Sequence, residues 1–484
     1  FRREDQNRFA EANRLEAGGF DPLGGKRTMA RDETRQTDQI PVRIPLVREP
    51  TGVLKSWQLM RENVLNIIPE AATHEPAISG RTAKRWHMIM DPDAIQKILL
   101  ERVEDYSKST VTKNLLRPAI GESLFIAEGA HWRWQRRASA PVFSHRNVSA
   151  LGAVMSDAAE RSADRIAAAG PRAINMLDEM VAATFDVIAE VTFSDDGSFD
   201  RAAVHDAIEA YIGDAGRISL LDVLGAPDWI PRPGRIGASA EMTEMKKNAD
   251  AAIEARAARG PSDIPDLLDL LLAGEDPKSG RKMTTSELRD NLLTFIVAGH
   301  ETTALTLAWA FYLCAFDDDI QTKARNEAQD VLGRRAATAA DVPNLPFIRQ
   351  VIDEALRLYP PAGMVSRTAR KKDDLCGADI RPDDTVMIPI YALGRHHMLW
   401  DNPDSFDPNR FADRKSIRRY SYLPFGDGPR ICIGASFAIQ EAVIILATLL
   451  ARFRFTAVKG RDPKPVMILT LRPEGGVWLQ AEPV

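Results

Sequence analysis

The 484-residue chain predicts a mainly α-helical protein with a minor β part, folded as a single large domain. Three observations carry that expectation. Long runs repeat apolar residues at three- and four-residue spacing, the signature of helices packed on one face. One segment, Thr284 to Phe316, is apolar almost all round in its middle, as a buried central helix must be. Short strand-like segments bounded by turns cluster at about residues 42–95 and again from about residue 360.

The elements follow in order. The N-terminal residues are polar and charged, so residues 1–44 read as an extension ahead of a domain over 45–484. Residues 1–28 read either as a non-native addition ahead of a natural start at Met29 or as a native flexible extension. "AKRWHMIM" (Ala83–Met90) reads as a strand of a small sheet. Val148–Gly170 and Ile174–Phe193 have helical periodicity. "SDIPDLLDLLLAG" reads as a short helix capped by Ser262. Thr284 and Glu287 make a capping-box pattern at the head of the long helix, which at roughly 1.5 Å per residue runs about 50 Å. Near the end, "DTVMIPIYA" reads as a strand and "PVMILTLRPEGGVWLQ" as a terminal hairpin. No linker or internal repeat divides the chain after Val42.

Composition narrows the function classes. Hydrophobic residues make up 44% and charged residues 27%, enough for a large core. A net charge of −5 argues against nucleic-acid binding. The three cysteines, Cys314, Cys376 and Cys432, are too few and too scattered for a disulfide framework, which fits a reducing, cytoplasmic setting. No run of about 18 apolar residues occurs, so no membrane anchor is expected. The longest such run is Ala442–Ala451.

The chemistry concentrates around Cys432. It lies in "YLPFGDGPRICIGASFAIQEA" (Tyr422–Ala442), with Gly426, Gly428 and Gly434 around it and Arg430 two residues before the sulfur. A lone cysteine is most often buried and inert. Here glycines permit close backbone approach, and a helix beginning after Gly434 would aim N–H groups and its positive end at the sulfur, favouring a thiolate. A nucleophilic cysteine would need a histidine base that the sequence does not point to. A thiolate iron ligand fits better.

"FGDGPRICIG" (Phe425–Gly434) resembles the haem-binding signature of the cytochrome P-450 family, F-x-x-G-x-R-x-C-x-G. By that resemblance the fold is a P-450-type domain, with a long central helix and the Cys-ligand loop before a C-terminal helix. Cys432 is then the proximal ligand of the iron of haem b (iron protoporphyrin IX). Phe425 would pack near the sulfur, Gly434 would border the haem, and Arg430 would contact a propionate. Other signatures appear in family order over roughly residues 45–484. "EALR" holds Glu354 and Arg357, one helical turn apart, and "FDPNRF" supplies Arg410, with Asn409 where glutamate is more usual. The resemblance gives this triad a structural role; the bland alternative for Glu354–Arg357 is a surface ion pair. "AGHETT" matches A/G-G-x-D/E-T. There Ala298 and Gly299 would lie beside the haem, and Thr302 and Glu301 would guide protons, through water, to dioxygen, with Thr303 structural. Without the family, the segment would read as a helix weakened or kinked at Gly299. "HWRWQRRASAPVFS" resembles the W-x-x-x-R helix, implying that Trp132 and Arg136 reach a propionate, as does Arg367 in "PPAGMVSRTAR". The substrate pocket would be lined by Thr294, Val297, Ala298, Ala362, Gly363, Met364, Val365 and Leu469.

The implied activity is that of a haem-thiolate monooxygenase, putting one oxygen atom of dioxygen into a small apolar organic substrate. With no reductase domain after Val484, electrons from NAD(P)H would come through external redox proteins, a ferredoxin or flavodoxin-type donor with its reductase, unless the chain is part of a larger fusion. Arg133, Arg137, Arg414, Lys415, Arg418 and Arg419 could form a basic face for such an acidic donor, or simply a solvated basic loop. A soluble, bacterial-type monomer is expected. The alternatives are a hydrogen-peroxide-driven peroxygenase and a non-catalytic haem sensor; the paired acid and alcohol at 301 and 302 argue against both. Residues 68–114 and 205–250 would set selectivity, but name no substrate.

Overall fold

The computed structural model describes residues 40–49, 52–82, 84–192, 239–262 and 265–484. Most of the expected extension, and 205–238 of the expected selectivity region, lie outside the described residues. The helices that position the site are α1 (Gly129–Ser139), α2 (Gly152–Ala169), α3 (Met176–Thr192), α4 (Leu267–Ala273), α5 (Thr285–Phe316), α6 (Asp318–Leu332), α7 (Pro346–Leu358) and α8 (Ala435–Arg452). The strands that bear on the site are β1 (Ala77–Arg81), β2 (Arg85–Ile89), β3 (Tyr106–Lys108), β4 (Val365–Ala369), β5 (Thr385–Ile388), β6 (Phe453–Ala457), β7 (Lys464–Met467), β8 (Leu471–Glu474) and β9 (Trp478–Pro483).

Helix α5 is the axis of the molecule. Its N-cap behaves as the sequence requires: Thr284 Oγ1 accepts from Glu287 N at 3.4 Å, and the Glu287 carboxylate accepts from Thr284 N at 3.0 Å. It packs most heavily on α3, and also against α7 and α8. From Ala304 to Ala310 it is buried on every side, which explains why its middle shows no polar face. The helix runs unbroken through Gly299. The threonine hydroxyls after it turn back: Thr302 donates to Ala298 O at 2.7 Å, Thr303 to Gly299 O at 3.1 Å and Thr306 to Thr302 O at 2.8 Å. These bonds satisfy hydroxyls that would otherwise be stranded in apolar surroundings.

The five-stranded sheet has the order β1-β2-β5-β4-β3, with β2 and β5 parallel and the remaining pairs antiparallel. It joins residues 77–108 to residues 365–388 and so closes one side of the cavity described below. Strands β7 and β8 form a hairpin, Met467 opposite Leu471.

Four sequence readings need correction. Val148–Gly170 is two helices, His145–Ala150 and α2, which meet at Leu151; Gly152, at the head of α2, packs so closely on Ala339 that a Cβ would lie 2.7 Å from its methyl. Ile174 and Asn175 pair with β9 as strand, and helix begins only at Met176. Helix α4 is capped not by Ser262 but by Asp266, in a reciprocal capping box with Asp269. Ser262 instead donates its N–H to the Asp269 carboxylate at 3.0 Å. Finally, the terminal hairpin ends at Glu474; β9 turns away to pair with β6. Among the described residues, α8 alone is long and apolar enough to cross a membrane, and 78% of it is buried inside the protein.

Candidate active site

A cavity of about 1240 Å³ lies between the Cys432 loop and the face of α5 that carries Ala298 and Thr302. Its walls come from both ends of the chain: residues of β1 and β2, α1, α3 and α5, β4 and β5, the 423–439 segment, and Met467 to Leu469.

The Cys432 loop is built by local hydrogen bonds and two left-handed glycines. Cys432 N donates to Phe425 O at 2.9 Å, closing the loop on itself. Gly426 and Gly428 have φ of 69° and 71°, a region that disfavours side chains. At Gly428 the demand is also steric: a Cβ would stand 2.1 Å from Leu99 O. The tight approach at Gly428 is to the backbone of Leu99. Gly434 has an ordinary φ of −91°, and a Cβ there would meet only Phe143 at 3.9 Å. Cys432 is surrounded by packed protein yet open toward the cavity. Burial pushes its thiol up, while the Gly434 N–H and the Arg136 guanidinium pull it down. Burial wins, so a thiolate here needs a bound cation on the sulfur, the condition that metal ligation supplies.

One edge of the cavity is strongly basic. Lys108, Arg136, Arg367 and Arg430 all line it. The Arg430 guanidinium donates to Ala127 O at 2.7 Å, reaches Glu128 Oε2 at 3.3 Å, and stacks on the Trp132 ring with its carbon 4.1 Å from the centroid. Arg367 donates to its neighbour's carbonyl, Ser366 O, at 3.1 Å. Burial, and then the Arg430 charge, press Arg367 down to about 10. Lys108 is pushed far below the ordinary lysine range by burial, then by Arg367 and Arg430. Arg136 is lowered by burial. Glu128 lies among these cations, taking Lys113 at 3.4 Å as well as Arg430. Such an edge is short of negative charge, and a ligand carrying two carboxylates would supply it. A flat, apolar dianion reaching Cys432 on one face fits these residues, and haem with its two propionates is such a group.

Across from the thiol, Thr294, Ala298, Gly299 and Thr302 line the cavity, together with Phe295, Thr303 and Thr306. Glu301 stands on a different face of α5. It is 3% exposed, and its carboxylate accepts from Thr470 Oγ1 at 2.6 Å and from Arg472 Nε at 2.8 Å. Of the other expected pocket residues, Ala362, Met364, Val365 and Leu469 line the cavity. Val297 and Gly363 do not. Val297 packs on the core, and the Gly363 Cα faces Met467 Sδ and Leu65 so closely that a Cβ would lie 2.9 Å from the sulfur. Trp132, Arg136, Phe425 and Gly434 also line the cavity.

Glu354, Arg357 and Arg410 meet in a buried knot. Arg357 binds Glu354 through two parallel bonds of 2.6 and 2.7 Å, with both side chains fully buried. Arg410 Nε reaches Glu354 Oε1 at 3.3 Å, and Asp407 N donates to the same oxygen at 2.9 Å. The remaining Arg357 donors go to the carbonyls of Gly394, Pro403 and Ser405. This is no surface ion pair; it ties α7 to the 394–410 segment. The expected basic face is partly spent on internal pairs. Arg137 is held by Asp276, Arg133 by Glu104, Arg414 by Asp353, Arg418 by Asp93 and Arg419 by Asp427. Arg137 is a structural clamp and not a free surface charge, because Asp276 is almost wholly buried beneath it.

The sequence reading missed Lys108, Glu128, Thr470 and Arg472. None sits in a motif. Lys108 and Glu128 meet Arg430 only through folding, and Thr470 and Arg472 meet Glu301 across 169 and 171 positions.

Comparison with known proteins gives one consistent answer. The Cytochrome P450 family model matches residues 80–480. The chain is 31% identical over 420 residues to cyclooctatin synthase of Streptomyces melanosporofaciens, covering 86% of this chain and 91% of that protein. It is 32% identical over 385 residues to cyclooctat-9-en-7-ol 5-monooxygenase of the same organism, covering 78% and 81%. The crystal structure of the cytochrome P450DA heme domain superposes with a TM-score of 0.77 at 25% identity, covering 92% of this chain and 99% of that one. A cysteine loop facing a helix of small and hydroxylated residues, a basic edge suited to a dianionic cofactor, and these likenesses converge: the chain belongs to the cytochrome P450 family and is a haem-dependent monooxygenase.

Proposed function

We propose that this protein oxidises a small apolar organic substrate, using electrons from NAD(P)H delivered by a separate ferredoxin or flavodoxin-type donor. One observation carries the reading: Cys432 and Thr302 open onto the same largely apolar cavity from opposite sides. Cys432 is the iron ligand, and Phe425 and Gly434 border it. Arg136, Arg367 and Arg430, with Trp132, hold the propionates. When bound, the haem supplies the activation of dioxygen, which aliphatic side chains cannot provide. The protein's own residues do the rest. Ala298 and Gly299 keep one face of α5 low, so that substrate and dioxygen share the space above the cofactor. The Thr302 hydroxyl gives its one proton to Ala298 O at rest, so it offers an acceptor to that space and donates there only on rotating away from the carbonyl; Glu301 is the acid that resupplies its proton. Thr294, Ala362, Met364, Val365 and Leu469 exclude water and hold the substrate by apolar contact. One relative is named as a monooxygenase of cyclooctat-9-en-7-ol, by that name an unsaturated alcohol, which supports a largely hydrocarbon ligand.

Lys415, which has no ion pair among the described residues, and the partly paired Arg133, Arg414, Arg418 and Arg419 offer the donor a basic surface. Reduction by an acidic donor is then expected to slow as salt rises.

The test of the site is spectroscopic and then chemical. The reduced protein with carbon monoxide is expected to show the red-shifted Soret band of thiolate ligation, and Cys432→His is expected to lose it. Thr302→Ala is expected to keep that band and to lower product formed per NAD(P)H consumed by roughly tenfold or more, the low end for a lost proton donor. Unchanged coupling in Thr302→Ala would remove Thr302 from proton delivery.

A further inference from the structure

Glu301 uses its two carboxylate oxygens unequally. Oε1 receives the Thr470 hydroxyl at 2.6 Å and Arg472 Nε at 2.8 Å, and also lies 2.8 Å from Arg472 Nη2. Oε2 receives no hydrogen bond from any described residue. Three donors converging on one buried oxygen fix the orientation of the whole group and occupy the lone pairs of that oxygen. A proton arriving at Glu301 must therefore sit on Oε2.

Both partners come from one short piece of chain, the tip and return strand of the β7–β8 hairpin. The three residues just before Thr470, namely Met467, Ile468 and Leu469, line the cavity. The neck of the turn is pinned on each strand: Met467 N donates to Asn63 Oδ1 at 3.0 Å and Leu471 N to Pro361 O at 2.9 Å. Trp309 of α5 adds a bond to Leu471 O at 3.2 Å. With the neck fixed, displacement of the Ile468–Leu469 tip by a ligand is passed directly to Thr470.

We propose that Thr470 and Arg472 are positioning residues for Glu301. They hold Oε1, present Oε2 as the proton-carrying oxygen, and make that hold depend on what fills the cavity. The proposal rests on Glu301 being the relay acid.

The test uses the holoenzyme and follows the protonated-carboxyl infrared band of Glu301, isolated as the difference from Glu301→Gln, as pH is varied. Arg472→Gln is expected to raise the midpoint of that band, since it removes the cation bonded to Oε1. The pH profile of product per NAD(P)H should move in the same direction, and Arg472→Lys should restore most of both shifts. A merely structural Arg472 would lower thermal stability but leave midpoint and profile in place, and that result overturns the positioning role. Thr470→Val, which keeps side-chain size, provides the same reading if Arg472→Gln fails to fold. Adding 4-phenylimidazole, which fills the cavity from the metal side, should shift the Glu301 band in the native chain and shift it less in Thr470→Val. No shift in the native chain overturns the dependence on occupancy. If Glu301→Gln leaves coupling unchanged, the relay reading fails, whereas the band midpoint still decides whether Thr470 and Arg472 set the state of Glu301.

Discussion

Two groups of buried arginines behave in opposite ways. Around Arg357 every charge is answered within the protein: Glu354 takes two guanidinium bonds, Arg410 closes the far side, and backbone carbonyls take the remaining donors. Around Arg367 and Lys108 the cations outnumber the carboxylates that face them, and burial presses both groups down. The first group is closed and the second is open. A closed group holds the chain in place. An open one stores unfavourable electrostatic energy that a ligand of the right charge releases.

The largest effect should come from opening the closed group. Arg357→Met leaves Glu354 in the core with only Arg410 Nε and Asp407 N, at a cost of about 3–5 kcal/mol. Urea melts and the yield of folded protein measure it. The double change of Arg357 and Glu354 to methionine should recover part of the loss, because it removes both charges of the pair but takes the carboxylate from Arg410. Closing the open group should have the opposite sign in the two forms of the protein. Lys108→Met and Arg367→Gln are expected to raise the melting temperature of the haem-free protein. The same changes should speed transfer of haem to an acceptor globin by roughly 10- to 100-fold, the worth of one lost charged hydrogen bond. A lowered melting temperature in the haem-free form would show that this edge is structural after all. The pH dependence has a definite sign. The folded haem-free state holds Lys108 well below its ordinary value of 10.5, so unfolding takes up a proton and stability rises with pH toward that value. Lys108→Met should flatten this rise.

The smallest effect concerns a charge that is removed altogether. Glu441 on α8 is 1% exposed, meets Thr303, and is kept neutral because burial pushes its carboxyl far up. Above its ordinary value of 4.5 the unfolded chain loses this proton while the folded chain keeps it, so stability falls as pH rises. Glu441→Gln should therefore raise the melting temperature at pH 7 and leave it unchanged near pH 4.

The contrast also explains what the sequence could reveal. The cap of α5, the turn-linked pair Glu354 and Arg357 and the Cys432 loop were legible because their partners lie within about ten positions in the chain. Thr302 and Ala298 were legible because one helical turn places them on a common face. Periodicity could not separate Val297 from its neighbours, since it lies close to the same face and only packing sends it to the core. Gly363 was misplaced because the neighbours that exclude it from the cavity, Leu65 and Met467, are remote in sequence. Lys108, Glu128 and Arg472 owe their roles wholly to tertiary neighbours.

The bond from Arg430 to Ala127 spans 303 positions, and that from Thr470 to Glu301 spans 169. The Cys432 loop itself closes over seven residues. Folding must therefore build the loop early and cheaply, and must pay the entropy of distant closure before the walls opposite it exist. During synthesis Arg472 emerges 171 residues after Glu301, so Glu301 waits without that partner throughout the interval.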